Sequence, residues 1–205
     1  MTMPRIHLPT IDELTPEQRR VRDTIVAGPR GEIIGPLRAV IHSPELAERW
    51  SSFGEFLRFK TCLPPKLNEL AIIVTGRRWT SQIEWWVHAR AAAAAGLPAD
   101  VIEAIRQGKA PAFNDADEAA VYEFARQLHQ TGTAREEAYY TIVQRWGAKG
   151  VVELTAVIGY YTMVSMMLNV HEIPLPDGVE APLSPLGETA LTPLPPARVS
   201  IAVER

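Results

Sequence analysis

The stretch Leu67-Asn-Glu-Leu-Ala-Ile-Ile-Val-Thr-Gly-Arg-Arg-Trp-Thr-Ser-Gln-Ile-Glu-Trp-Trp-Val-His-Ala-Arg90 is followed by five alanines and Gly96, and its reading decides the fold. Pro64-Pro65 stands just before it, where proline opens a helix without losing a hydrogen bond. Leu67, Leu70, Ala71 and Val74 then recur at helical spacing and make an apolar stripe. Thr80-Ser81 has the chemistry of an N-cap, and a second helix carries Ile83 to Ala95 and stops at Gly96. Two consecutive helices joined by a short turn are therefore expected.

Helical signals continue on both sides. Thr15-Pro16-Glu17-Gln18 caps a helix that runs to Gly28. The prolines and glycines of 29–36 mark a loop. Ser43-Pro44-Glu45 opens a helix through about Lys60, with Leu46, Trp50, Phe53, Phe56 and Leu57 at helical spacing. After Gly96 come a short helix from Leu97-Pro98 to Gln107-Gly108 and a longer one from Asn114 and Asp117 to Gln130. Two more follow, Ala134 to Trp146, stopped by Gly147, and Ala148 to Val170. No alternating apolar run competes before the extreme C-terminus, so the fold class is all-α. Residues 1–173 read as a single helical domain. From Pro174 onward seven of the chain's 17 prolines fall within 32 residues, which makes 174–205 an extended arm. Val199, Ile201 and Val203 alternate, so the arm's end is expected either to dock like a strand, with a neighbouring subunit as one possible dock, or to be disordered.

Composition narrows the function. The 205 residues are 46% hydrophobic and 22% charged, a globular balance, and the net charge of -3 gives no footprint for nucleic acid or an anionic membrane. Cys62 is the lone cysteine, which excludes an intrachain disulfide and any mechanism needing two thiols in one chain. No ligand cluster points to a metal, and no cofactor is expected. The uncharged stretch Leu154–Val170 falls short of the roughly 20 apolar residues of a span and holds several hydroxyls and Asn169, so it reads as a buried helix. The first residues hold no apolar core of signal-peptide length, and the expected location is the cytoplasm.

Glu84 and His88 are four apart and share one helix face. A carboxylate beside an imidazole fixes its orientation and favours its protonated form, which makes a general acid/base pair able to work near neutrality. The same spacing is common on solvated helix faces. Trp85 and Trp86 point about 100° apart, so at least one belongs to the core and the other is free to floor a pocket or an interface. The default meaning of the alanine run is close approach of another helix.

These residues resemble the carboxymuconolactone decarboxylase family, which includes the alkylhydroperoxidase D-like proteins. The resemblance rests on Glu69, Ser81, Glu84 and His88, then the alanine-rich turn and Gly96-Leu97-Pro98, and extends over roughly 40–175. The family's redox branch has cysteines at the positions held here by Ser81 and Glu84. Serine and glutamate neither attack a peroxide nor resolve a sulfenic acid, so the pattern is similar to the decarboxylase branch. The resemblance implies an all-α bundle assembling into trimers or hexamers. It also implies a cofactor-independent lyase acting on a small carboxylated lactone or related cyclic carbon acid.

On that basis His88 is expected to donate or accept the proton. Glu84 is expected to orient it, and Glu69 to hold it from the other side or to act as a second acid/base. Ser81, about two turns before His88, is expected to line the same face. Trp85 is a candidate for the wall of a ring-shaped substrate's site. Arg77 is the candidate carboxylate clamp, although a cation ending a helix has an ordinary dipole role. Tyr160 and Asn169 are candidates from the last helix. Three classes compete: a small-molecule lyase, hydrolase, hydratase or isomerase; a thiol-peroxidase relative that has lost its cysteines; and a non-catalytic oligomeric binding protein.

Overall fold

Prolines and capping side chains set where the helices begin. The computed structural model describes residues 3–28 and 31–199. Helix α1 (Pro16–Ala27) starts with a full capping box: Thr15 Oγ1 accepts from the Gln18 amide at 3.2 Å, and Gln18 Oε1 accepts from the Thr15 amide at 2.9 Å. A single turn, α2 (Leu37–Val40), follows the glycine-rich loop; it is too short for periodicity to reveal. Helices α3 (Pro44–Phe59) and α4 (Pro65–Arg78) each open on proline. Helix α5 (Gln82–Ala94) ends where expected. Gly96 adopts a φ of 91° that favours glycine, and the Leu97 amide reaches back to Ala92 O at 2.9 Å. Next come α6 (Ala99–Arg106), strand β1 (Ala112–Phe113) and α7 (Ala116–Thr131). The cap of α7 is Asp115, whose carboxylate accepts from the Asp117 amide; the sequence had pointed to Asn114. Last are α8 (Glu136–Val170) and strand β2 (Arg198–Val199). Gly147 breaks α8 with a φ of 66° and a ψ of −172°, so two helical segments meet there, as the sequence had indicated.

Helix α4 is the axis of the bundle. Every residue from Leu67 to Arg77 is buried, because α5, α7 and α8 all pack on it. Helix α8 is long and apolar enough to cross a membrane by length and composition. However, 56% of its most apolar window is buried inside this chain's own fold, which is the property of a core helix. Its outer face carries Val152, Gly159, Met163, Met166 and Val170, all exposed and none charged.

The C-terminal arm docks on its own chain as far as residue 199. Gln82 exchanges two hydrogen bonds with the backbone of Leu183, the Thr192 amide donates to Arg78 O at 2.7 Å, and Leu183 and Leu194 are buried. Prolines leave the arm short of donors but rich in carbonyls. Side chains of the body supply the donors: Tyr122 Oη to Pro195 O, Gln130 Nε2 to Leu194 O, and Arg106 Nη1 to Pro182 O. The arm finishes as β2, paired in parallel with β1. Ile201 and Val203 lie outside the described residues.

Candidate active site

The hairpin of α4 and α5 brings three of the expected residues together. His88 Nδ1 lies 2.7 Å from Glu69 Oε2, and Nε2 lies 3.4 Å from Glu84 Oε2. Glu69 comes from the neighbouring helix and Glu84 from one turn earlier on α5, so the imidazole is held between two carboxylates. All three residues are buried. The ring of Tyr161 on α8 stands edge-on to the imidazole at 5.0 Å and 81°, so the His88 plane is fixed by packing as well as by hydrogen bonding.

His88 and Glu84 line a cavity of about 430 Å3, closed by Tyr160, Tyr161 and Val164 of α8, Trp86 and Val87 of α5, and the start of the arm at Pro174 and Pro176. Loop residues Glu32 to Pro36 form another wall, with Arg38 of α2 and Arg58 from the last turn of α3. Most of this surface is apolar, with the polar groups set among it, as in sites for small organic molecules. Burial pushes the Tyr161 hydroxyl well above its ordinary value, and the nearby Glu84 adds to the shift, so it stays a neutral O–H.

Five residues expected at the site behave differently. Tyr160 does line the cavity, but its hydroxyl donates to Trp50 O at 3.2 Å. Ser81 does not: it is the residue before α5, turned inward and fully buried, with its Oγ unpaired. Trp85 is packed in the core, and its neighbour Trp86 faces the cavity instead. The helical step between adjacent residues decides which indole goes where.

Arg77, the expected carboxylate clamp, does not line this cavity. Its guanidinium is fully buried on the side facing the arm. It donates to Arg106 O at 3.2 Å, Thr80 Oγ1 at 3.2 Å, Ser184 O at 3.1 Å and Thr192 Oγ1 at 2.7 Å. Asn169 likewise has a structural bond, to Trp79 O at 2.8 Å.

Cys62 lies in the loop before α4 and is no part of the cavity wall. Its amide donates to Glu153 Oε2 at 2.6 Å, and desolvation by its surroundings followed by the Glu153 carboxylate pushes its thiol up. That environment opposes thiolate formation. Among the described residues no group of His, Cys, Asp and Glu is arranged to hold a metal ion.

No protein-family model and no curated protein matches the sequence. Solved structures do match in shape. A peroxidase-related protein from Ralstonia eutropha JMP134, described as an alkylhydroperoxidase AhpD core, superposes with a TM-score of 0.69 over 86% of this chain and 94% of its own, at 13% identity. The fold is that of the alkylhydroperoxidase D core. A peroxidase-related protein from Silicibacter sp. TM1040 gives a TM-score of 0.64 at 14% identity, covering 83% of this chain and 91% of its own. A cysteine-to-alanine form of the debrominase Bmp8, in complex with 2,3,4-tribromopyrrole, gives 0.60 at 14% identity, covering 82% and 88%.

Proposed function

We propose that this protein is a cofactor-independent acid/base lyase, removing CO2 from a small carboxylated lactone or a related cyclic carbon acid, with His88 as the proton-transfer group. The observation that carries the reading is the imidazole held between Glu69 and Glu84 at the wall of an apolar cavity of small-molecule size. In this reaction the bond from ring carbon to carboxylate breaks, and its electron pair enters a conjugated carbonyl to give a dienolate. CO2 leaves, and a proton from the imidazolium closes the carbon. Glu69 takes the Nδ1 proton in its hydrogen bond and so presents Nε2 toward Glu84 and the cavity. The two carboxylates hold the ring in place while it delivers its proton, and solvent restores that proton after each turnover. The apolar part of the wall accommodates the charge-dispersed dienolate.

The fold neighbours include peroxidase-related proteins, but the residues of this site favour proton transfer. Glu84 stands beside the imidazole, and the lone thiol lies elsewhere with its proton favoured. The uncharged outer face of α8 supports assembly into a homo-oligomer, which we include in the proposal.

The test is to incubate the purified protein with a set of unsaturated five-membered lactones carrying a ring carboxylate and to measure CO2 release. Release that depends on protein and is absent with the matching methyl esters supports the reading. No release from any member, alongside peroxide consumption with a dithiol reductant, would replace it by the peroxidase reading.

A further inference from the structure

Three donors around the cavity have no described work to do. Arg38 and Arg58 both line it, and neither is in an ion pair or a side-chain hydrogen bond among the described residues. Other arginines are engaged by carboxylates: Arg20 with Glu48, Arg106 with Glu103, and Arg126 with Glu123. Arg58 lies over the ring of Phe59 at 5.1 Å and acts electrostatically on the Tyr161 hydroxyl. Both side chains are half-buried, so their guanidinium groups are partly withdrawn from water. The third donor is the Tyr161 hydroxyl, on a residue only 4% exposed that lines the cavity and has no hydrogen-bond partner among the described residues. Lining the cavity, this O–H is available to an acceptor atom of a bound ligand.

We infer that Arg38, Arg58 and Tyr161 form a receptor for the carboxylate of a ring-shaped organic acid, seated so that the ring lies against Trp86 and its acidic carbon faces His88. Planar guanidinium groups match a carboxylate's two oxygens. The phenol contributes a neutral donor without adding charge near Glu84. The acidic groups at the cavity, Glu84 beside His88 and Glu32 on the loop, favour a ligand with a single anionic end placed at the arginines. This inference names the substrate-binding groups for the lyase reading and rests on it for the location of the reacting carbon. The binding itself is measurable without turnover.

The experiment is ligand-observed NMR and calorimetric titration of the full-length protein with benzoate, and with benzamide as the uncharged isostere. Benzoate is expected to bind at least tenfold more tightly than benzamide. Arg58→Met and Arg38→Met should each weaken benzoate by about tenfold while leaving benzamide within twofold. Tyr161→Phe should weaken benzoate several-fold. Equal affinities for the two probes, no binding of either, full benzoate affinity in both arginine variants, or displacement of benzoate by equimolar sulfate would overturn the inference. Since Arg38 and Arg58 are half-exposed, these variants should fold, and circular dichroism melting checks that they do. A protein that binds benzoate as expected but turns over no carboxylated lactone would retain this receptor and lose the lyase reading.

Discussion

Replacing Arg77 by Met should loosen the arm without touching the chemistry. The side chain is fully buried and makes four hydrogen bonds, of which those to Ser184 O and Thr192 Oγ1 reach the arm. Hydrogen bonds from a charged donor contribute about 1.5–3 kcal/mol each, so the two arm bonds represent roughly 3–6 kcal/mol in gross terms. Part of this is offset, because the guanidinium is buried without a carboxylate partner. That burial, with Arg106 nearby, holds its pKa below the ordinary arginine range. Methionine relieves the burial cost and fills much of the same volume. The net loss should be about 2–4 kcal/mol, which for a domain of this size lowers Tm by about 5–15 °C. Differential scanning calorimetry measures this, and limited proteolysis should show earlier cleavage within 174–199. Benzoate affinity should stay at the wild-type level. A variant that melts with the wild type, resists protease equally and binds benzoate more weakly would show that Arg77 is a ligand clamp after all.

Stability should also fall in acid through His129. The Thr75 hydroxyl donates to Ala71 O, so it accepts from His129 Nε2–H at 2.9 Å. Burial first, and Arg78 second, push the imidazole from 6.5 down to about 4. A base whose folded value is depressed contributes stability fully above its unfolded value of 6.5. It loses that contribution between about pH 6.5 and pH 4, as the unfolded chain takes up the proton first. The span of 6.5 to about 4 corresponds to about 3 kcal/mol. Urea titrations across that range should show the loss, and His129→Gln should flatten it; an unchanged slope would refute the assignment. Alkylation of Cys62, which is exposed and outside the cavity wall, should leave CO2 release unchanged, and loss of activity without loss of fold would revive thiol chemistry. Light scattering on the eluting protein should give three or six copies of the 22.7 kDa chain, and a monomer at micromolar concentration would reject the assembly reading of α8.

Much of the architecture was legible because its signals are local. The Pro44 and Pro65 starts, the Thr15–Gln18 box, the Gly96 stop and the Gly147 break each depend on a few neighbouring residues, and each appears in the structure. The His88 and Glu84 pairing follows from helical spacing, and Glu69 followed from the family resemblance. What escaped depends on distant packing. Arg77 at a helix end looks the same in sequence whether it faces a ligand or an arm that returns about a hundred residues later. Trp85 and Trp86 are chemically alike, and only the position of the neighbouring helices decides which one faces the cavity. Arg38 follows a loop and Arg58 ends a helix, where a basic residue has an ordinary reading, so nothing local marked them as cavity residues. The arm's course was hidden because proline-rich segments carry no periodicity.

The most direct measurement is the rate of CO2 release by His88→Asn against the wild type, with circular dichroism showing equal helix content. An acid/base group in the reacting position contributes about 100- to 10,000-fold, so the variant should fall by at least that lower factor. A folded His88→Asn protein that still releases CO2 at the wild-type rate would remove the imidazole from the mechanism.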